Sequence, residues 1–549
     1  IRKMIAWGMA VTMTAGMTNV LTGCGAEREG QAVETSQVED TSQGDEDTPA
    51  WKKYAGEPVT LDWYVNYSWF AIPWGENAVS QKITEETGVN INFITPIGNE
   101  TEKLNALIAS DSLPDLITLG YWEPQVNQMI EENMVYALNE LADDYDAYFW
   151  QVTDADVVNW YTMDDGNIYG YPCSTVTPKQ VKEHDDIISN QTFLVRKDIY
   201  EAIGSPDMTT PEGFKAAVEK AAEMFPEVNG EKLIPVGSHV FDNQGNVSFD
   251  KYLMNFLAVP WEKDGKYYDR YTDPEYVIWL KMFRELGEEG LLANDIFVDT
   301  RIQMEEKLAK GRYFCMLYQY TDTISQQKAL YENDPDSIYM AVEGPRNSNG
   351  DDPTLPTNNI NGWTLTLISK NCKYPERAIA FMDYMMSEHG QMLIYLGVEG
   401  VTYDIVDGKP VLKEDVSKIL NSDRETYDRL YGADDAYWML QNNVMQLQWE
   451  QKAGPATEQL LVWACKYTVY NGQYDVSLST SPEIAAMDEK CTKLWSETLP
   501  KLLLASNEAQ FDEIFEEFVG KRNAMGYQEV LKQKTVLMNA AKEKMGISE

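Results

Sequence analysis

Residues 358–386 have the sequence NNINGWTLTLISKNCKYPERAIAFMDYMM, in which a strand pattern passes directly into a helix pattern. Apolar and small polar side chains alternate from Trp363 to Ile368, which predicts a strand with a strongly apolar face. Pro375 and Glu376 suit the first turn of a helix, because a missing N–H costs nothing there and a carboxylate meets the positive end of the helix dipole. Apolar residues then recur at helical spacing, so this stretch predicts a strand packed against a helix.

Several short segments carry a family resemblance. They are Asn361-Gly-Trp, Ile368-Ser-Lys-Asn-Cys-Lys and Pro375-Glu-Arg-Ala-Ile-Ala-Phe-Met-Asp-Tyr, with SDSLPDLI at 110–117, DDGNIYGYP at 164–172 and LGVEGVTY at 396–403. Together they resemble the family 1 extracellular solute-binding proteins, the capture subunits of sugar importers driven by ATP. The resemblance implies an α/β, two-lobed periplasmic-binding-protein-like fold, in which each lobe is a sheet flanked by helices and a multi-strand hinge joins the lobes.

The composition is typical of a large globular protein with more than one domain or lobe. The chain has 549 residues, of which 44% are hydrophobic. Asp and Glu outnumber Lys and Arg by 88 to 45, which gives a formal net charge of -43. This charge repels phosphate backbones and anionic lipid headgroups, so we expect no nucleic-acid partner.

The N-terminal region has the features of a lipoprotein export signal. Arg2 and Lys3 precede a mostly apolar run, which ends in Leu21-Thr-Gly-Cys24. This ending resembles the bacterial lipobox, so we expect a signal peptide over 1–23 and a lipid-carrying Cys24. Residues 24–52 are rich in acidic and small polar residues and predict a flexible tether. The protein is then expected on the extracellular face of the bacterial cytoplasmic membrane, held by its lipid alone.

The rest of the chain alternates between strand and helix patterns, which predicts parallel sheets covered by helices. Predicted strands lie at 59–65, 89–93, 113–119, 314–318 and 363–368, and predicted helices at 77–86, 102–110, 125–132, 210–225, 274–286, 301–310 and 512–519. Residues 193–198 are expected to start the second lobe. Residues 338–342 are expected to return to the first lobe. The resemblance then assigns 53–172 plus 340–400 to lobe I, and 173–339 plus 401–549 to lobe II, with Gly397 and Gly400 close to a hinge.

Aromatic residues follow two strands of the predicted first lobe. Ligands of open parallel sheets bind beyond the carboxyl ends of the strands, so residues at these positions are the first candidates for a site. Tyr67 and Trp69 follow the first strand, and Tyr121 and Trp122 follow the third. Because aromatic residues recur after two separate strands, we expect ligand contacts from these four, with core packing as the alternative for any one of them.

Five further residues complete the predicted site. Gln319 and Tyr320 follow a strand of the second lobe, at a place where the resemblance implies an aromatic contact. Asn361, Trp363 and Glu399 lie in segments that resemble the family. A sugar offers apolar C–H faces for Trp and Tyr rings and a rim of hydroxyl groups for amides and carboxylates, so this set predicts an oligosaccharide site closed by the two lobes.

The resemblance implies the remaining partners. The ligand is expected to be a neutral oligosaccharide, delivered to transmembrane permease subunits that work with a separate ATPase, and the receptor is expected to be a monomer without a cofactor. Five cysteines remain after Cys24, and buried thiols are expected, with one disulfide as the alternative.

Sequence motifs for other chemistries are missing from the chain. It has no His-Glu-x-x-His zinc motif, no Gly-x-Ser-x-Gly nucleophile elbow, no phosphate-binding or dinucleotide loop and no calcium loop. A carboxylate pair for glycoside hydrolysis depends on three-dimensional separation, so an anchored extracellular glycoside hydrolase remains the strongest alternative. A peptide-binding receptor of the same fold is the third class.

Overall fold

The computed structural model describes residues 48–450, 454–478 and 480–547. The predicted signal peptide, Cys24 and the tether up to residue 47 lie outside this range. The end of the predicted tether belongs to the folded domain, because residues Ala50–Tyr54 form a helix. The backbone N–H of Ala50 donates to Asp146 at 3.0 Å, and the ring of Trp51 contacts Tyr384 at 4.9 Å. These contacts hold residues 50–52 in place, whereas the sequence predicts a flexible tether there.

Among the described residues, nine strands build two main sheets. They are β1 (Val59–Val65), β2 (Val89–Ile94), β3 (Leu116–Gly120), β4 (Gly170–Pro172), β5 (Gln191–Arg196), β6 (Ile234–Gly237), β7 (Tyr313–Gln319), β8 (Tyr339–Ala341) and β9 (Thr364–Ile368). The first sheet has the order β2-β1-β3-β9-β4, and the second β8-β5-β7-β6. In the first sheet β1 is parallel to β2 and β3, while β9 is antiparallel to β3 and β4. In the second, β7 is parallel to β6 and antiparallel to β5.

Short strand pairs lie outside these sheets. They are Glu227–Val228 with Glu231–Lys232, Glu262–Lys263 with Lys266–Tyr267, Leu355–Pro356 with Thr468–Val469, and Tyr403–Val406 with Lys409–Leu412.

Helices flank both sheets. In the first half of the chain the α-helices are Ala78–Thr87, Glu100–Ala109, Pro124–Glu131, Leu138–Tyr145, Phe149–Val152, Ala155–Tyr161, Pro178–Glu183, Lys197–Ala202, Pro211–Met224 and Leu253–Phe256. In the second half they are Pro274–Glu288, Arg301–Ala309, Ile324–Asn333, Pro375–Met386, Glu388–Leu396, Glu414–Ser422, Arg424–Leu430, Asn443–Gln446, Glu458–Ala464, Pro482–Leu503, Glu508–Ala524 and Tyr527–Lys544. None of the described helices is both long enough and apolar enough to cross a bilayer.

Local signals set the helix boundaries close to their predicted places. The side chain of Asn77 accepts a hydrogen bond from the backbone N–H of Ser80 and so begins the helix Ala78–Thr87. Gly88 ends that helix with φ 73°, in the left-handed region that favours glycine. The helix Pro211–Met224 starts in the same manner, with Thr210 accepting from Gly213.

The prediction that residues 338–342 return to the first lobe is wrong. β8 pairs antiparallel with β5, and its residues Tyr339 and Ala341 lie opposite Arg196 and Leu194 of the second sheet. The return to the first sheet therefore occurs later, between β8 and β9. A single apolar strand pattern does not identify the strand with which it pairs. The sequence therefore could not distinguish an edge strand of the second sheet from a segment that crosses between the lobes.

Each main sheet has its own hydrophobic core, and the C-terminal part of the chain divides between them. Tyr427, Tyr437 and Trp438 are buried in the core of the first sheet. Trp495 and Phe518 are buried in the core of the second. The assignment of all of 401–549 to lobe II is therefore wrong for the segment around 416–440, because helical periodicity shows that one face is buried but not which core covers it.

The remaining cysteines are free thiols. Cys173, Cys315, Cys372 and Cys491 are buried, as expected, whereas Cys465 is exposed.

Candidate functional site

Four aromatic rings form one cluster at the carboxyl end of β1. Trp69 stacks on Trp363, with centroids 6.1 Å apart and an interplanar angle of 4°. Trp438 contacts Trp363 at 4.4 Å and Trp69 at 5.6 Å, and Tyr67 lies 5.4 to 5.7 Å from each of the three tryptophans. The cluster thus joins three of the predicted site residues and adds Trp438, which the sequence did not predict.

Three parts of the chain bring these rings together. Tyr67 and Trp69 follow β1, Trp363 immediately precedes β9, and Trp438 begins a short 3-10 turn. The backbone N–H and hydroxyl of Ser68 both donate to Glu100, at 2.8 and 3.0 Å, which fixes the loop that carries Trp69. The ring of Trp69 is 57% exposed, so a ligand can reach it.

Polar atoms without partners surround the rings. Within the described residues, the Tyr67 hydroxyl, Trp438 Nε1 and Gln441 Oε1 are buried and form no hydrogen bond. Gln441 is held in place, because its Nε2 donates to the Ser174 hydroxyl at 2.8 Å. Burial, and then the Glu123 carboxylate, raise the pKa of Tyr67, so its hydroxyl stays protonated. Two donors and one acceptor therefore lack a hydrogen-bond partner within the described residues.

Trp122 and Tyr121 lie beyond β3, as predicted, but they have different environments. Trp122 is 48% exposed and meets Tyr121 edge to face at 5.1 Å. The Tyr121 hydroxyl is already used, because it donates to Asp475 Oδ2 at 2.7 Å. Burial, and then the Asp475 carboxylate, raise the pKa of Tyr121.

Asn361 is also bonded within the protein. Its Nδ2 donates to the Asp475 backbone oxygen at 2.8 Å, and its Oδ1 accepts from Trp160 Nε1 at 2.8 Å. Asn359 Nδ2 donates to Asp475 Oδ2 at 2.7 Å. Asn361 is 5% exposed. In this structure Tyr121 and Asn361 therefore bind Asp475 within the protein. Among the predicted aromatic residues, Trp69 and Trp122 are the exposed ones.

The second sheet presents polar side chains after β7. Gln319 Oε1 accepts from the Tyr252 hydroxyl at 2.7 Å, and Gln319 Nε2 donates to Asp322 at 2.8 Å. Asp322 also pairs with Arg301. Tyr252 is the last residue of a π-helical turn, Ser248–Tyr252. Sequence patterns do not reveal a local irregularity of this kind.

Tyr320 is separated from this polar group and lines a cavity of about 700 Å³. The same cavity is lined by Gln191 at the start of β5, Asn358 before β9, and Val444 and Glu450. Tyr320 itself is 7% exposed. The cavity therefore lies where the chain passes between the two sheets.

Glu399 is placed away from the four rings. It is exposed in the turn between Gly397 and Gly400 and forms a bridge with Tyr403. No described contact joins it to the ring cluster.

Glu123 follows β3 and is the carboxylate that bears on the hydrolase alternative. Burial raises its pKa, but both carboxylate oxygens are occupied, by the Gly120 N–H at 2.7 Å and by Asn66 Nδ2 at 2.7 Å. A general acid needs an oxygen aimed at its substrate, so Glu123 is arranged to support the loop after β3. Among the described residues no group of three or more His, Cys, Asp or Glu side chains could hold a metal ion.

The sequence matches known proteins over most of its length. The profile of the family described as "Bacterial extracellular solute-binding protein" matches residues 71–392. The chain is 21% identical to lipoprotein LipO of Bacillus subtilis over 57% of this chain and 61% of LipO, so it spans less than two thirds of that relative. It is 20% identical to the polygalacturonan/rhamnogalacturonan-binding protein YtcQ of the same organism, over 85% of this chain and 92% of YtcQ.

A solved structure has the same fold. The Streptococcus pneumoniae ABC-transporter substrate-binding protein FusA in complex with kestose superimposes with a TM-score of 0.69, at 16% identity, over 88% of this chain and all of that chain. The predicted α/β, periplasmic-binding-protein-like fold is thereby confirmed. Because the family match covers more than half of the sequence, the chain belongs to the bacterial extracellular solute-binding proteins.

Proposed function

We propose that this chain is the lipid-anchored substrate-binding protein of an ABC importer, and that it captures an oligosaccharide between its two lobes for delivery to the permease. The observation that carries this proposal is the four-ring cluster of Tyr67, Trp69, Trp363 and Trp438, in which Trp69 is exposed and buried polar atoms lack a partner. The relatives YtcQ and FusA, named for polygalacturonan or rhamnogalacturonan and for fructooligosaccharide, support a carbohydrate ligand.

The cluster has the two properties that sugar recognition needs. Trp69 offers an accessible aromatic face on which the C–H face of a sugar ring can stack. The Tyr67 hydroxyl, Trp438 Nε1 and Gln441 Oε1 can then bond the hydroxyl groups at its rim. Because these atoms belong to uncharged groups, the units that stack here are proposed to be neutral, as the sequence predicts.

Closure of the lobes would complete the site. Gln319 and Asp322 form a hydrogen-bonded polar group with Tyr252 at the end of β7, while the rings lie beyond β1 and before β9. A ligand that touches both sets favours the closed state by the difference between its affinities for the closed and open states. The closed shape would then report occupancy to the permease.

Isothermal titration of the soluble chain that begins after Cys24 tests the proposal. Fructo-oligosaccharides, galacturonate oligomers and neutral plant and host oligosaccharides form the panel, and the sugars are recovered and analysed by chromatography after each titration. Saturable binding of intact sugar supports the receptor. Cleaved sugar would favour the glycoside hydrolase instead, and no binding across the panel would shift weight to peptides.

A further inference from the structure

Arg270 is a half-buried cation without an acidic partner. It lies in the 3-10 turn Arg270–Thr272, where its Nη2 donates to Asn255 Oδ1 at 2.8 Å and its Cζ lies 4.6 Å above the ring of Trp261. Its Nε is buried and makes no hydrogen bond, and no carboxylate of the described residues forms an ion pair with it. In a chain with 88 acidic residues against 45 basic ones, this lack of a partner needs an explanation.

The acidic residues around Arg270 are all engaged elsewhere. Asp269 pairs with Arg522, and Asp273 accepts from the Tyr268 hydroxyl at 3.1 Å and from the Glu275 N–H at 2.9 Å. Glu262, beside Trp261, accepts from Lys542 at 2.5 Å and from the Tyr474 hydroxyl at 3.1 Å. These carboxylates are bonded to other groups, so Asp273 acts on Arg270 only through its charge and none of the three forms an ion pair with the guanidinium group.

The guanidinium group keeps its charge at neutral pH. Burial lowers the pKa of Arg270 to about 10, which is still well above 7. A partly buried positive charge without a partner is costly, and an anion that enters the site recovers that cost. Arginine also binds carboxylates with several N–H groups at once, so a carboxylate is the best-matched anion.

Two contacts connect Arg270 to the region between the sheets. Asn255, which holds Arg270, donates to Gln191 Oε1 at 3.0 Å, and Gln191 begins β5 and lines the 700 Å³ cavity. On the other side, the ring of Trp261 stacks on Tyr474 at 5.7 Å and 9°. Tyr474 precedes Asp475, which bonds Tyr121 and Asn361 beyond the first sheet.

We propose that Arg270 binds a carboxylate group carried by the ligand, so that at least one unit of the captured oligosaccharide is an acidic sugar. The proposal rests on the proposed function and deepens it, because the units that stack on the rings stay neutral while the unit at Arg270 carries a negative charge. Asn255 and Trp261 position the guanidinium group for this contact.

Titration with matched sugars tests the proposal. The probes are trigalacturonate and the same trimer with its carboxylates reduced to alcohols, and the proteins are the mature chain, Arg270→Gln, Arg270→Lys and Arg429→Gln. Arg429 is an exposed arginine on another helix and serves as the control. The native chain is expected to bind trigalacturonate about 10-fold or more tightly than the reduced trimer, as for a hydrogen bond to a charged group.

Arg270→Gln is expected to abolish this preference while binding of the reduced trimer changes little, and Arg429→Gln is expected to preserve it. Arg270→Lys keeps the charge but loses the planar array of donors, so it is expected to retain part of the preference, and it covers a failure of Arg270→Gln to fold. Equal affinity for the two trimers, or a preference that survives Arg270→Gln, would overturn the proposal.

A thermal-shift series with galacturonate and galactose separates this proposal from the proposed function. If neutral oligosaccharides bind but the carboxylate of galacturonate adds no stabilisation over galactose, the receptor function stands and the proposed role of Arg270 is wrong. If galacturonate stabilises the native chain but not Arg270→Gln, while no oligosaccharide binds, the carboxylate site stands and the oligosaccharide receptor falls.

Discussion

The hydroxyl of Tyr121 lies 2.7 Å from Oδ2 of Asp475, a residue 354 positions further along the chain. The same oxygen accepts from Asn359 Nδ2 at 2.7 Å, and the Asp475 backbone oxygen accepts from Asn361 Nδ2 at 2.8 Å. One carboxylate therefore ties the loop around 472–478 to the end of β3 and the start of β9. Two residues that the sequence assigned to the ligand form part of this joint.

Removal of the Asp475 carboxylate should destabilise the fold. Asp475→Ala leaves the part-buried donors of Tyr121 and Asn359 without an acceptor, so we expect the free energy of unfolding to fall by about 2 to 3 kcal/mol. Denaturant unfolding measures the change. Asp512→Ala removes a carboxylate that pairs with Lys281 at the surface, and it should cost less than about 1 kcal/mol. If both variants lose equally little unfolding free energy, then the Asp475 carboxylate does not hold these segments together.

Removal of the Trp69 ring should weaken ligand binding more than it weakens the fold. The ring is 57% exposed and is the accessible face of the cluster, so Trp69→Ala is expected to cost about 2 kcal/mol of binding free energy, a roughly 30-fold loss of affinity. Trp150→Ala is the matched control, because Trp150 is also a partly exposed tryptophan, 41% exposed, and lies outside the cluster. Titration of both variants against the first ligand found decides the point, and equal losses would remove the cluster from the site.

The buried carboxyl group of Asp250 should make stability depend on pH. Burial raises its pKa from 3.8 to about 7, and its oxygens accept from Trp495 Nε1 at 2.6 Å and the Asn246 N–H at 2.7 Å. Because the folded state binds the proton more tightly than the unfolded state, this group's contribution to stability is largest below pH 3.8 and declines as pH rises towards 7. The decline amounts to at most about 4 kcal/mol.

Asp250→Asn should remove that decline. Its stability relative to the native chain is therefore expected to improve between pH 5 and pH 8, as measured by denaturant unfolding at each pH. Asp242→Asn, at an exposed acid in the same loop, is the control substitution. Parallel pH profiles for the native chain and Asp250→Asn would show that Asp250 titrates normally.

Two glycines in one loop should respond differently to alanine. Gly397 has φ 92°, and an added Cβ would lie 2.3 Å from the Thr402 hydroxyl oxygen, so Gly397→Ala combines backbone strain with a clash. Gly400 has φ 77° but open space around it. We expect Gly400→Ala to cost about 1 kcal/mol and Gly397→Ala at least about 2 kcal/mol of unfolding free energy. Equal costs would mean that Thr402 moves aside freely.

The sequence by itself determined the local structure and the family. Strand-forming residues from 59 to 65 and alternation from 363 to 368 predicted β1 and β9, and the helices predicted from 77 and from 210 begin within one residue of their observed starts. These features depend on hydrogen bonds and φ angles within a few residues, so neighbouring side chains suffice to specify them.

Only the tertiary structure decided which distant segments share a site. Trp438 lies 75 residues after Trp363, in a region that the sequence assigned to lobe II, yet its ring contacts Trp363 at 4.4 Å. Asp475 takes the polar groups of Tyr121 and Asn361, and Arg270 lacks an acidic partner because Arg522, Lys542 and Tyr268 occupy the neighbouring carboxylates. Periodicity shows that a face is buried, but the partner across that face depends on how the whole chain packs.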